Sequence, residues 1–440
     1  MEKSDPAKST ALPAMASCCW VRMVYSRGSV DLPCCLQVVR VHSSCVECGD
    51  GCAEVIEAGV RKRRSAESET QRRAGTRVAS PSPSSQTVSY RAATMKAVVV
   101  PSKGQTELKD VPTPEPAAGQ VVVKTLAIAL NPTDWKHRDF LAPPGSWLGC
   151  DFSGTVDKVG DGVDNLKQGD RVAGFVHGGQ WEGEGSFAEY VKAEANLVWR
   201  VPDSLSDEQA AAAGGVGPWT AIQALYMRLG LATPSSPSKE GEPVLIWGGS
   251  TSVGLYALQF LKAGGYTPVS VSSKKSYDLV KKFGAAATFD YNDPEVSAKI
   301  AKEFPSLQYG LDCISEGKTT VSIVKAIKGA KGTGRVITLL LNKDSEIKDV
   351  AGDNIKVEMT LAYTTLGVEF DWPGMTFPAM PEHKSRMEDW CAKGLPQVFE
   401  SGAVKPNPIH SMSGGLENIT EGLEYVKAGK NRGVKVTYKV

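Results

Sequence analysis

The sequence predicts an α/β protein in which a β-rich region leads into a doubly wound parallel sheet. Two observations carry that reading. After Met95, apolar runs (Ala97–Val100, Val121–Val123, Leu126–Leu130, Gly154–Val159, Arg171–Val176, Phe187–Val191) are separated by Gly, Pro and Asp turns, the mark of successive short strands. Later, strand-like runs at 244–247, 267–272, 287–290, 309–314 and 334–340 alternate with helical periods, the pattern of a parallel sheet covered by helices. Between the two regions, Ser206–Ala213 and Trp219–Leu229 read as helices. Residues 231–242 form a polar insertion, and the last seventy residues mix short strands with one helix, Leu416–Ala428, before a closing strand, Gly433–Val440.

Residues 1–94 differ in character from the rest of the chain. They hold Cys18, Cys19, Cys34, Cys35, Cys45, Cys48 and Cys52, a basic run at Arg61–Arg64 and the Ser/Pro-rich stretch Ser80–Ser85, and no helical or strand period persists. Cys45, Cys48 and Cys52 have half the spacing of a zinc knuckle, but no second ligand pair follows. Glu2 and Asp5 argue against a secretory leader and the acids of Glu47–Glu69 against a transit peptide. A disordered extension or a start assigned too early is expected here, dispensable to a domain that begins at Met95.

The remaining cysteines, Cys150, Cys313 and Cys391, suit a reduced, cytoplasmic enzyme. Formal net charge is +1, so nothing implies a nucleic acid or an anionic membrane as partner. No apolar run approaches the roughly 18 to 20 residues that span a bilayer.

The most informative stretch is VLIWGGSTSVG, Val244–Gly254. An apolar strand runs into Gly248-Gly249, and Ser250, Thr251, Ser252, Val253 and Gly254 open an amphipathic helix that ends at Gly264-Gly265. This is the strand-turn-helix of a dinucleotide site. Gly249 is expected to make the sharp turn, Gly254 to let the helix pack on the strand, and the helix N-terminus to receive a pyrophosphate. Thr251 replaces the middle glycine of G-x-G-x-x-G. The next strand, Thr267–Ser272, ends in Ser272-Ser273-Lys274-Lys275, and no acid occurs between Gly249 and Asp278. An NAD-specific site places an acid near here for the ribose 2′-hydroxyl. Ser272, Ser273 and Lys275, with Tyr291 from the following run, suit a 2′-phosphate instead, so NADPH is the expected cofactor.

Four further stretches gain meaning together: NPTDWKH (Asn131–His137), GCDFSGTVDKVGDGV (Gly149–Val163), GDRVAGF (Gly169–Phe175) and GSFAEYV (Gly185–Val191). With AAGGVGPWTAIQAL (Ala212–Leu225) and the cofactor turn, they resemble the medium-chain dehydrogenase/reductase superfamily. DCIS at Asp312–Ser315 and the closing GLEYVKAGKNRGVKV make the chain most similar to fungal ToxD-like, polyketide-associated trans-acting enoyl reductases. The resemblance implies a GroES-like catalytic domain interrupted by a Rossmann domain. Its boundaries would be 95–217 for the first catalytic part, 218–367 for the NADP-binding domain and 368–440 for the returning part.

Zinc members of that superfamily place Cys, a His-Glu pair and a further Cys or Asp around a catalytic ion. Here Asn131 takes the first position, Cys150-Asp151 replaces His-Glu, and no cysteine occurs between Cys150 and Cys313, so the lobe with four structural cysteines is missing. A zinc-free site is expected, with Asp151 bracing its strand. Reducing an activated C=C bond needs no Lewis acid, only donors for the enolate and a proton source.

The resemblance places Asn131, Thr133 and Lys136 on the loop facing the nicotinamide, Lys136 as enolate stabiliser or proton donor. It places Val216, Gly217 and Thr220 beside the nicotinamide amide, and returns Arg432, Gly433 and Lys435 to the cleft. Asp134 would anchor the loop, and His177 would line or flank the cleft. The tyrosine that mitochondrial-type enoyl-thioester reductases carry shortly after this motif has no counterpart here. Reduction of an enoyl thioester or related α,β-unsaturated carbonyl by NADPH is therefore expected. The substrate would be a small molecule or an acyl group tethered to a carrier, such as that of a polyketide synthase. A quinone oxidoreductase is the enzymatic alternative and a non-catalytic NADPH-binding protein the alternative of another class.

Overall fold

The computed structural model describes residues 20–25, 28–33, 93–341, 345–372 and 374–440. The chain divides into two units, Met1–Gln86 and Thr87–Val440. In the first, Trp20–Tyr25 and Gly28–Pro33 pair as an antiparallel ribbon, where the sequence predicts no persistent strand period. The expectations for the rest of 1–92, including Cys45, Cys48 and Cys52, lie outside the described residues.

The second unit opens with an antiparallel pair, Thr94–Val99 and Glu107–Pro112. Its larger β-sheet has seven strands. Gln120–Ala129 is central, and its residues are buried on both faces apart from a few positions, as a strand flanked by neighbours on each side must be. It pairs with Asp151–Val159, Tyr190–Glu194 and the C-terminal strand Lys435–Lys439. The sheet thus takes a strand from the far end of the chain.

Between these contributions lies a six-stranded parallel sheet in the order Ala287–Asp290, Thr267–Ser272, Pro243–Trp247, Tyr309–Asp312, Gly334–Thr338, Ile355–Met359. Counted within this sheet the order is 3-2-1-4-5-6, which reverses direction between Pro243–Trp247 and Tyr309–Asp312. Ligands of such sheets bind outside the carboxyl ends of the strands at that reversal. The expected strands are all present. Ile355–Met359 adds an edge strand that its charged alternation, IKVEM, conceals.

Two helical readings change. Trp219–Leu229 becomes an α-helix Val216–Ile222 continued by a wider turn, Gln223–Arg228. The region after 370 holds a further helical run, Pro381–Asp389, Trp390–Gly394 and Leu395–Glu400, that the sequence does not predict. Its buried side chains Met387, Cys391, Leu395 and Phe399 recur every four residues, but Glu382, Lys384, Arg386, Glu388 and Asp389 mask the period. The widened Trp390–Gly394 turn precedes Pro396, whose missing N–H an ordinary helix would not tolerate. This run stacks Trp390 on Tyr226 at 5.2 Å and Phe399 on Trp199 at 5.3 Å. No helix among the described residues is long and apolar enough to cross a membrane.

Candidate active site

The turn after Pro243–Trp247 is built by three glycines with different tasks. Gly248, not Gly249, takes the left-handed conformation, with φ +77°. Gly249 is needed for clearance, because a Cβ there would lie 2.1 Å from Ser270 Oγ on the adjacent strand. A Cβ at Gly254 would lie 2.4 Å from the Gly248 carbonyl oxygen, so this glycine lets the helix Ser252–Ala263 meet the turn. Thr251 needs no glycine freedom: its backbone is extended (φ −73°), and its hydroxyl accepts from Gly254 N at 3.0 Å to cap the helix. Gly248, Gly249, Ser250 and Gly254 thus form a close-packed turn in which a Cβ at any of the three glycines would strike Ile314, Ser270 or the Gly248 carbonyl. Thr251, Ser252 and Val253 line the cavity in front of it. A dinucleotide pyrophosphate fits such a turn.

Ser272, Ser273, Lys275 and Tyr291 stand at the carboxyl ends of the adjoining strands, outside that cavity. Ser272 is buried, Ser273 Oγ lies 3.1 Å from Ser276 Oγ, and Lys275 and Tyr291 are exposed. The neighbouring strand brings one acid to this end, Asp290, beside Ser272 in register. Its carboxylate accepts from Asn292 N (3.1 Å) and Nδ2 (3.0 Å) and lies 4.0 Å from Lys274 Nζ.

The cavity, about 590 Å³, is walled on one side by Asn131, Thr133, Lys136, Val216 and Thr220 and on the other by residues that follow the parallel strands. Its size is that of an ordinary small-molecule site. The loop NPTDWK is a short helix started by Pro132 and anchored by Asp134, whose Oδ2 accepts from Asn131 N at 2.6 Å. Burial raises the Asp134 carboxyl to about 7, with the Asn131 N–H opposing and the Asp151 charge assisting the rise. Lys136 Nζ lies 3.9 Å from Glu316 Oε1 across the cleft. Glu316 is presented by the DCIS loop, which Asp312 folds by accepting from Ile314 N (3.0 Å) and Ser315 N (2.9 Å).

The sequence does not foresee Tyr363. Its hydroxyl lies 2.7 Å from Thr133 Oγ1 and 3.6 Å from Cys150 Sγ, and burial holds its pKa well above the usual phenol value. No motif marks it, and it sits in a short turn, Ala362–Leu366. His177 is buried rather than lining: it stacks on Tyr363 with centroids 3.7 Å apart. His137 Nδ1 lies 2.9 Å from the Thr133 carbonyl oxygen, and burial lowers this ring to about 4. Phe175, Trp372, Leu339, Leu340 and Leu341 complete the apolar lining.

Asp151 braces more than its own strand. Its Oδ1 accepts from Val216 N at 2.8 Å, and its Oδ2 accepts from Asn131 Nδ2 and Lys435 Nζ, both at 2.9 Å. Lys435 Nζ also donates to Asn131 Oδ1. Asn131 and Asp151, which the resemblance sets at zinc-ligand positions, therefore already enclose the Lys435 ammonium. Cys150 is fully buried, and burial followed by the Asp134 and Asp151 charges keeps its thiol protonated. Among the described residues no group of three or more His, Cys, Asp or Glu side chains is placed to hold a metal. A zinc ion does not fit this donor set.

The Alcohol dehydrogenase GroES-like domain family matches residues 117–203, and the Zinc-binding dehydrogenase family matches residues 252–376. A trans-enoyl reductase of Alternaria alternata is 39% identical over 359 residues, covering 79% of this chain and 99% of its own. A trans-enoyl reductase of Aspergillus sclerotiorum is 34% identical over 366 residues, covering 79% of this chain and 100% of its own. Among solved structures, the CurK enoyl reductase aligns with a TM-score of 0.64 at 17% identity over 78% of this chain and 99% of that one. At that identity the likeness concerns the fold alone.

Proposed function

The chain belongs to the enoyl-reductase-like branch of the medium-chain dehydrogenase/reductase superfamily, and from that membership we propose that it reduces the activated C=C bond of an enoyl thioester or related α,β-unsaturated carbonyl with NADPH and without zinc. The observation that carries this reading is one cavity shared by the first helical turn of the cofactor motif and the Asn131–Lys136 loop. The turn Gly248–Gly254 would hold the pyrophosphate, Val216 and Thr220 the nicotinamide, and Ser272, Ser273, Lys275 and Tyr291 the 2′-phosphate end. When bound, the reduced nicotinamide supplies the hydride that adds at the substrate's β-carbon.

The chain's own residues deal with the charge that then moves to the carbonyl oxygen. Lys136, on the cavity wall, is the strongest donor there: it stabilises that oxygen, gaining strength as the charge develops, and Lys136 or a water gives the α-carbon the proton that completes the reduction. Asn131 and Thr133 orient the substrate carbonyl. Phe175, Trp372 and Leu339–Leu341 receive an apolar acyl portion and exclude water, which strengthens the polar contacts. The substrate is either a free small molecule or an acyl chain carried by a synthase of the polyketide type. The names of the two fungal relatives support the acyl reading.

The test is NADPH oxidation by the purified protein with crotonyl-type thioesters and quinones offered in parallel. Turnover of the thioester is the expected result. Turnover of quinones alone would reassign the enzyme, and tight NADPH binding without turnover of either would make it a binding protein.

A further inference from the structure

The ammonium of Lys435 is among the most enclosed charges of the described residues. Its side chain is 2% exposed, beside the fully buried Asp151. The sequence places Lys435 at the start of the closing strand, where Lys435 N donates to Pro408 O at 2.7 Å and Leu130 N donates to Val436 O at 2.9 Å. That register aims the side chain beneath Asn131, the first residue of the substrate loop. A buried cation survives only if its partners satisfy it, and the partners here are two residues with further duties. Asn131 lines the cavity and begins the Asn131–Lys136 helix. Asp151 holds the backbone N–H of Val216, a second lining residue of the same cavity. Glycine at 215 is required for that grip, since a Cβ there would lie 2.6 Å from Asp151 Oδ1.

We propose that Lys435 is the resident cation of this cleft, a positioning residue whose ammonium fixes Asn131 directly and Val216 through Asp151, between two residues that the resemblance sets at zinc-ligand positions. The site is assembled by a covalently attached charge instead of an exchangeable one, so its geometry does not depend on metal supply. The expected effect on turnover rests on the reductase reading, while the metal and loop measurements do not.

The experiment combines metal analysis, melting, hydrogen exchange and rate for the full chain and three variants. Wild type is expected to contain no stoichiometric zinc. Lys435→Met leaves Asp151 buried and unpaired, so it melts lower and loses turnover. Lys435→Met combined with Asp151→Asn removes both charges and recovers the melting temperature. In the double variant, amide exchange of peptides covering residues 129–137 should stay at least about tenfold faster than in wild type, and the rate at least about tenfold lower. Lys435→Ala supplies an arm that does not depend on the double variant's stability. Methylammonium should restore protection of the 129–137 peptides, and tetramethylammonium, which cannot donate, should not. Stoichiometric zinc in wild type would overturn the proposal. So would a double variant that regains loop protection along with its melting temperature, which would reduce Lys435 to a counter-ion for Asp151. Equal rescue by both ammonium ions would overturn it too. If wild type reduces neither thioester nor quinone, the reductase reading fails, and the zinc and exchange results still decide the role of Lys435.

Discussion

The hydroxyl of Tyr363 lies 2.7 Å from that of Thr133, joining positions 230 residues apart on the floor of the cavity. The Tyr363 ring has little freedom, stacked on His177 and edge-on to His137 and Phe370. Its hydroxyl therefore sets where the Thr133 hydroxyl points. Tyr363→Phe keeps the ring contacts and deletes this bond together with the weaker, longer contact to Cys150 Sγ at 3.6 Å. A neutral hydrogen bond contributes about 1 kcal/mol, so the maximal rate of NADPH oxidation should fall about fivefold. NADPH affinity, followed by fluorescence titration, should not change. A rate equal to wild type would show that Thr133 is oriented by other neighbours.

Lys136 faces a larger test. Its amine is needed once charge reaches the substrate carbonyl, so Lys136→Met should lower the maximal rate with NADPH binding nearly unchanged. A positioned donor typically contributes about 100- to 10,000-fold. Glu316→Gln serves as the control. The pair spans 3.9 Å with a largely exposed carboxylate, and such pairs contribute about 0 to 1 kcal/mol. Its loss should change the rate by no more than about fivefold. Stopped-flow measurement of both variants separates the roles. A Lys136→Met enzyme within about threefold of wild type lies far below the expected range and would demote the residue to a surface lysine.

Cofactor choice is predicted to rest on Lys275. Lys274 is drawn toward Asp290 at 4.0 Å, whereas no ion pair of Lys275 occurs among the described residues. A charge-assisted contact is worth about 1.5 to 3 kcal/mol, so Lys275→Ala should weaken NADPH by about 10- to 100-fold, and Lys274→Ala by less. Isothermal titration with both cofactors checks this. Equal weakening of NADH and NADPH would place Lys275 away from the 2′-phosphate.

Local pattern made five strands of the parallel sheet legible, because they are largely apolar runs that alternate with helical periods, while the charges of Ile355–Met359 hid the sixth. The cavity wall at Asn131–Lys136 was legible only through the family resemblance of NPTDWKH, not through a local pattern. Two contributors had no local signature, although the family resemblance did return Lys435 to the cleft. Tyr363 reaches Thr133 only through tertiary placement of an irregular turn. Lys435 resembles any strand-edge lysine until the sheet pairs the last strand against Gln120–Ala129. Burial of a charge is decided by neighbours distant in sequence, and local pattern does not reveal them. The turn glycines show a finer version of the same limit. The Gly pair was visible, but only the register beside Ser270 tells that Gly248 turns and Gly249 clears.

Acid–base behaviour supplies the last prediction. Asp134 is pushed up to about 7 in the folded protein against 3.8 for a free carboxyl, chiefly because it is buried, with the Asn131 N–H opposing, the Asp151 charge adding to the rise and the Lys435 charge opposing it. The native state therefore binds the extra proton between these values. The stability contributed by Asp134 is full below about pH 4 and is lost as pH rises to 7. His137 has the opposite sign. Burial lowers it from 6.5 to about 4, so its contribution is present above pH 6.5 and lost as pH falls toward 4. The two slopes oppose each other across one window, and wild type should show a shallow dependence there. Asp134→Asn retains an oxygen to accept from Asn131 N and removes one slope. The partnerless Oδ1 position adds at most a constant offset. Relative to wild type, the variant should gain roughly 2 to 4 kcal/mol between pH 4 and pH 8, read from urea midpoints at each pH. It should also be the more acid-labile of the two, since the His137 slope is then unopposed. Parallel stability curves for variant and wild type across that range would show that Asp134 has the same pKa in the native and unfolded states and would overturn this prediction.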